Sequence, residues 1–143
     1  MTTTIKTSPK ERKLGFRVLF LGMFAIGTGQ TLFISVLPPY ARGLGLSEVQ
    51  VGFIFSLSAL GWMMMSPFWG RKSDFIGRKS IIILGLLIYS FTTILMGIEF
   101  GLNELGYINL STLFGLLIFT RGCYGFLGSG AHSASMAYVA DRT

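Results

Sequence analysis

The segment Trp69-Gly-Arg-Lys-Ser-Asp-Phe-Ile-Gly-Arg-Lys-Ser80 decides how this chain is read. It holds five of the chain's eighteen charged residues in twelve positions. On both sides the sequence is almost free of charge. No charged residue occurs in 18–41, 49–70 or 80–98, and 109–140 contains one, Arg121. At about 1.5 Å per residue, runs of this length span a bilayer's hydrocarbon core as helices. They are solidly apolar and lack the period-two alternation of membrane strands. The expected fold class is therefore all-α, a polytopic membrane protein with four transmembrane helices at about 16–38, 48–69, 79–98 and 109–140.

Charge placement gives an orientation. With the N-terminus in the cytoplasm, Lys6, Lys10, Arg12, Lys13, Arg17, Arg71, Lys72, Arg78, Lys79 and Arg142 lie inside. Arg42 lies outside, as do Glu99 and Glu104. This is the positive-inside pattern. The net charge of +6 follows from that topology, and no nucleic-acid partner is expected. The first apolar run is too long for a signal-peptide core and lacks a small-residue cleavage site, so it reads as a retained helix. The single cysteine, Cys123, has no intrachain partner and reads as a small buried residue.

Residues 1–15 read as a basic, flexible cytoplasmic tail. Pro38-Pro39 is expected to end the first helix. Ser47 and Gln50 have the spacing of a capping box that starts the second, and Pro67 should bend or end that helix near the inner surface. The fourth stretch is too long for one upright span and must tilt or project. It is rich in small residues from Gly122 to Ala137, which allow close helix approach. Gly52, Ser56 and Ala59 form a lesser stripe of that kind on helix two. Met63–Met65 are consecutive, point in different directions, and do not read as a metal site.

Within the charged segment, Gly70 would allow close backbone contact, and Gly77 a turn that other residues resist. Asp74 stands four residues before Arg78, a spacing that lets the two pair. Topology alone accounts for Arg71, Lys72 and Lys79. It does not account for Asp74 or the two glycines.

The pattern Gly70-x-x-x-Asp74-x-x-Gly77-Arg78-Lys79 between two spans resembles the loop between helices two and three of the major facilitator superfamily of secondary transporters. The stretches VLPPYARGLGLSEVQVG and SPFWG agree with it, as does Arg121 followed by glycines. The resemblance covers about Phe16 to Asp141. Departures are Phe75 where the family is usually basic, Lys72 where it is usually apolar, and Tyr124 where its helix-four motif has Gln. The resemblance implies a gating cluster of Asp74, Arg78 and Asp141 that latches the two six-helix halves in the outward-facing state. It also implies that residues 16–143 are an incomplete N-terminal domain, inactive alone, whose remainder (helices 5–12) is a partner. A bacterial inner-membrane location, a small-molecule substrate and no cofactor are expected.

Arg121 is the most informative polar residue. An arginine near mid-span costs about 2.5–3.5 kcal/mol on insertion scales, so it should face a cavity or a partner. Helical offsets place Arg121, Gly125, Gly128 and His132 on one face. Arg121 is a candidate for an anionic substrate group or for an acid partner; the alternative is an arginine satisfied by helix carbonyls. His132 is a candidate proton carrier or a neutral ring bonded between helices. Gln30 is a candidate for the same cavity or for a helix–helix bond. Many proton-coupled drug exporters of the family carry an acid inside helix one. None is expected here in helices one to three.

The leading reading is transport of a small organic solute by alternating access, with a proton-coupled drug or metabolite exporter within its range. A non-transporting membrane subunit or sensor is one alternative. A complete four-helix dimeric exporter is another, weakened by the absence of a glutamate in helix one. An enzyme would need a nucleophile, acid or metal cluster, and the chain is not expected to be one.

Overall fold

The computed structural model describes residues 9–141, with side chains from residue 13 onward. Lys6 and Arg142, and the side chains of Lys10 and Arg12, lie outside the described residues. Helix α1 spans Pro9–Gly43, α2 Glu48–Ile76, α3 Arg78–Glu104, α4 Leu110–Cys123 and α5 Ser129–Ala140. A five-residue π turn, Tyr124–Gly128, joins α4 to α5. The two therefore form one continuous rod, and Leu110–Ala140 counts as a single apolar stretch among four long enough to cross a membrane.

The first three helices are longer than sequence alone indicates, for local reasons, whereas the fourth stretch keeps its expected length. Proline is favoured in the first helical turn, and α1 starts at Pro9 within the stretch expected to be a flexible tail. The same helix continues through Pro38-Pro39 to Gly43. Proline's fixed φ suits a helix even though its missing N–H does not. Leu37, Ala41 and Leu46 hold that last turn in a core with Val51, Ile54, Met96, Leu113 and Leu117. Burial of this kind overrides a weak local preference.

Ser47 and Gln50 do form the capping box. The Gln50 N–H donates to the Ser47 hydroxyl at 3.3 Å, and the Ser47 N–H to Gln50 Oε1 at 2.9 Å. Helix α2 then runs past Pro67 and Trp69 to Ile76. The charged segment is thus almost wholly helical, and the loop shrinks to Gly77, whose φ is 100°. Two bonds hold the extension: the Trp69 indole donates to the Phe126 carbonyl at 2.8 Å, and the buried Ser73 hydroxyl to the Gly70 carbonyl at 2.6 Å.

Helix α3 passes Ile98 and ends at Glu104. Glu99, expected in an outer loop, is instead only 3% exposed and accepts a hydrogen bond from Thr120. Tyr40 donates to Glu104 just beyond it. The connection to α4 turns at Gly106, φ 77°, and Asn109 caps α4 by accepting from the Thr112 N–H at 2.8 Å.

Packing is tightest where small residues meet. Gly125 of the π turn lies against the Ser58 and Gly61 backbone of α2. Gly85 of α3 lies against Ala131, and Gly130 against Trp69 and Ile81. The close approach on α2 uses Ser58 and Gly61, not the expected Gly52 stripe, since a Cβ at Gly52 would meet nothing. This rod is the central element, flanked by α2 and α3; α1 packs lightly against both.

Candidate functional site

That loose seating of α1 leaves a cavity of about 940 Å³ between α1, α2, α3 and the α4–α5 rod. Its walls are mainly apolar and aromatic. The polar groups on them include Gln30 from α1, Trp62 from α2, Tyr89 from α3, and Arg121, Tyr124 and His132 from the rod. Size and lining match a pocket for a drug-sized organic molecule with a few orienting polar groups.

Arg121 is 5% exposed. Its guanidinium carbon lies 4.0 Å from the Phe33 ring centroid, 5.0 Å from Tyr124 and 5.9 Å from Phe55. Ring faces are electron-rich and stabilise a desolvated cation. Among the described residues no carboxylate forms an ion pair with it, and its Nε has no hydrogen-bond partner. The Gln30 Oε1, Trp62 Nε1 and Tyr124 hydroxyl are likewise buried without one. Unmet buried polar atoms are costly. Here four of them belong to residues lining one cavity.

The π turn rearranges the expected face of the fourth helix. A wider turn shifts every later side chain around the axis. Arg121, Gly128 and His132 reach the cavity, but Gly125 turns to α2 and is a packing residue. Tyr124 takes its place. Its ring sits 5.6 Å from Tyr89 and 6.2 Å from Trp62. Gly128 makes room for that ring, since a Cβ there would come within 2.7 Å of it. His132 stacks obliquely on Trp62 at 5.5 Å between centroids.

A second cluster lies at the Gly77 end of the helices. Asp74 Oδ1 is 2.9 Å from Arg78 Nη2. The same guanidinium grips Asp141, with Nη2 donating to Oδ1 at 3.1 Å and Nε to Oδ2 at 2.5 Å. Its Nη1 reaches the Ser73 hydroxyl at 3.4 Å. The sequence-predicted trio Asp74, Arg78 and Asp141 is thus brought together, tying α2, α3 and the end of α5. Gly77 supplies the positive φ. Gly70 does not serve a close approach, because a Cβ there would meet nothing. Lys79 is exposed and makes no ion pair among the described residues. Lys72 lies over the Phe68 and Trp69 rings at 5.1 and 5.7 Å.

Sequence reasoning missed Trp62, Tyr89 and Glu99. In the sequence Tyr124 stands out as a departure from a family pattern, yet a phenol a few residues from an intramembrane arginine is itself a signal. The absence of acids expected in helices one to three is corrected: α2 includes Glu48 and Asp74, and α3 includes Glu104 and the buried Glu99.

Residues 19–143 match the family model described as Major Facilitator Superfamily. The chain belongs to the major facilitator superfamily. It is similar to multidrug resistance protein 2 of Bacillus subtilis, with 33% identity over 97% of this chain and 32% of the relative. It is also similar to the quinolone resistance protein NorA of Staphylococcus aureus, with 37% identity over 62% of this chain and 23% of the relative. The chain spans about a third of the length of the Bacillus relative. No solved structure matches it. Family membership and four apolar helices make this facilitator chain an integral membrane protein.

Proposed function

We propose that these helices form one wall of a solute pathway in a secondary transporter that works by alternating access. The observation that carries this is the cavity of about 940 Å³ with the Arg121 guanidinium among aromatic rings. Sites of this family lie near the bilayer midplane between two helical halves, and the chain's span of about a third of the Bacillus relative fits one part of such a unit. The relatives' names point to drug-like solutes, and the lining suits one with a flat aromatic body. Arg121 suits an anionic substituent, and Trp62, Tyr89 and Tyr124 stack on the ring system. The transporter sits in a bacterial cytoplasmic membrane with its N-terminus inside. The Asp74–Arg78–Asp141 cluster then lies at the cytoplasmic face, where it latches that end shut in the outward-facing state.

Trp62 reports on the cavity directly. In lipid vesicles, titration of the chain with a quinolone carboxylate should quench tryptophan emission saturably, and Trp62→Phe should abolish the saturable component. Arg121→Ala should weaken the binding. A linear, non-saturating response identical in wild type and Trp62→Phe would overturn the reading.

A further inference from the structure

Glu99 has no part in the solute cavity or the cytoplasmic cluster, yet it is one of the most buried polar residues, at 3% exposure. It lies on α3 five residues before Glu104, at the end opposite Arg78. One carboxyl oxygen, Oε1, accepts the Thr120 hydroxyl of α4. The other, Oε2, is buried and has no hydrogen-bond partner.

The charged groups around it are otherwise engaged. Helix α1 carries none between Arg17 and Arg42, and α2 none between Glu48 and Arg71. Arg42 pairs with Glu48 at 3.1 Å. On α3 itself Glu104 takes the Tyr40 hydroxyl of α1. On α4 the next residue, Arg121, lies over Phe33, Tyr124 and Phe55. Among the described residues Glu99 makes no ion pair. A carboxylate so placed would be a buried charge balanced by one hydroxyl. The neutral acid leaves only one polar atom unmet, which costs far less. Ionisable groups inside membrane spans commonly mark proton paths.

We propose that Glu99 and Thr120 form a proton-binding site on the α3–α4 contact. The carboxyl carries a proton while the two helices are closed together and releases it when the contact opens to water. Binding forms one O–H bond at Oε2 as one O–H bond of a hydronium ion breaks and leaves water; release reverses this, and no electrons are gained or lost. The site faces the membrane side opposite the Arg78–Asp141 cluster, so it takes its proton from that side. As the coupling step this rests on the transporter reading above. The bound proton itself does not.

Infrared spectroscopy of the whole chain in lipid vesicles at neutral pH tests it. A carboxylic-acid C=O band is expected that shifts down in D2O, disappears in Glu99→Gln and persists in Glu104→Gln. Thr120→Val, which removes the hydroxyl donor, should move the band to higher frequency, and Thr120→Ser should leave it in place. The threonine variants keep the test valid should Glu99→Gln misfold. A wild-type spectrum with no such band at neutral pH, or a band unmoved by Glu99→Gln and Thr120→Val, would overturn the site. That failure would leave the cavity reading standing, whereas absent solute binding at Trp62 with the band present would overturn the transporter reading alone.

Discussion

Arg78 holds Asp141 through two nitrogens across 63 positions of sequence, while its Nη2 also pairs with Asp74 at 2.9 Å. One guanidinium therefore ties the end of α2, the start of α3 and the end of α5. Planar, two-pronged contacts are what arginine offers and lysine does not.

A double-mutant cycle of Arg78→Ala and Asp141→Ala, read by thermal unfolding in detergent, should give a coupling of about 0.5–1 kcal/mol. The carboxylate is 54% exposed, so solvent screening limits the value. Added salt should reduce it. Lys79→Ala should show no coupling to Asp141. In the assembled transporter, Asp74→Asn should lower transport while leaving membrane insertion intact.

The two glycines of the charged segment should behave differently. Gly77 has φ 100°, where a side chain is strained, so Gly77→Ala should cost about 1–3 kcal/mol. Gly70 sits within α2 with open space around it, so Gly70→Ala should be neutral or stabilise by up to about 1 kcal/mol. Thermal melts of the two variants check both.

The close approach of the π turn to α2 should be intolerant of added volume. A Cβ at Gly125 would lie 2.5 Å from the Ser58 carbonyl oxygen, so Gly125→Ala should cost about 1–3 kcal/mol. Gly115, ten residues earlier in α4, faces open space, and its alanine variant should not destabilise. The comparison separates backbone contact from helix propensity.

Four helices, their order and the Ser47–Gln50 cap were legible because hydropathy and capping are local properties. So was the Asp74–Arg78 pair, four residues apart in sequence, although the helix breaks at Gly77 between them. Asp141 joined it only by family resemblance, since no local rule links positions 78 and 141. Helix ends were misread wherever tertiary packing outweighed a local stop signal. Pro38-Pro39 stays helical because Leu37 and Ala41 are buried. Glu99 stays helical because Thr120 satisfies one oxygen. The exchange of Gly125 for Tyr124 at the cavity was not legible, because a π turn changes the residue count per turn and the offset rule assumes a uniform helix.

Arg121→Lys should not substitute for arginine. The guanidinium carbon lies 4.0 Å from the Phe33 ring centroid, and a planar, multi-donor cation at that place is not reproduced by an ammonium. Loss of the cation–ring contacts corresponds to about 1–2 kcal/mol, roughly tenfold in affinity for an anionic aromatic solute. The Trp62 titration reads this directly for Arg121→Lys and Arg121→Ala.

The central claim is that the space beside Gln30, Trp62 and Arg121 is a water-filled solute pathway. Its most direct test is thiol accessibility in cells producing the protein, with Cys123 replaced by Ala. Gln30→Cys should react with a membrane-impermeant thiol reagent added outside, and a bound solute should protect it. Phe91→Cys, on an exposed apolar face of α3, should not react. Arg78→Ala should shift Gln30→Cys labelling toward the cytoplasmic side. A Gln30→Cys that is as inert as Phe91→Cys from both sides would contradict the pathway.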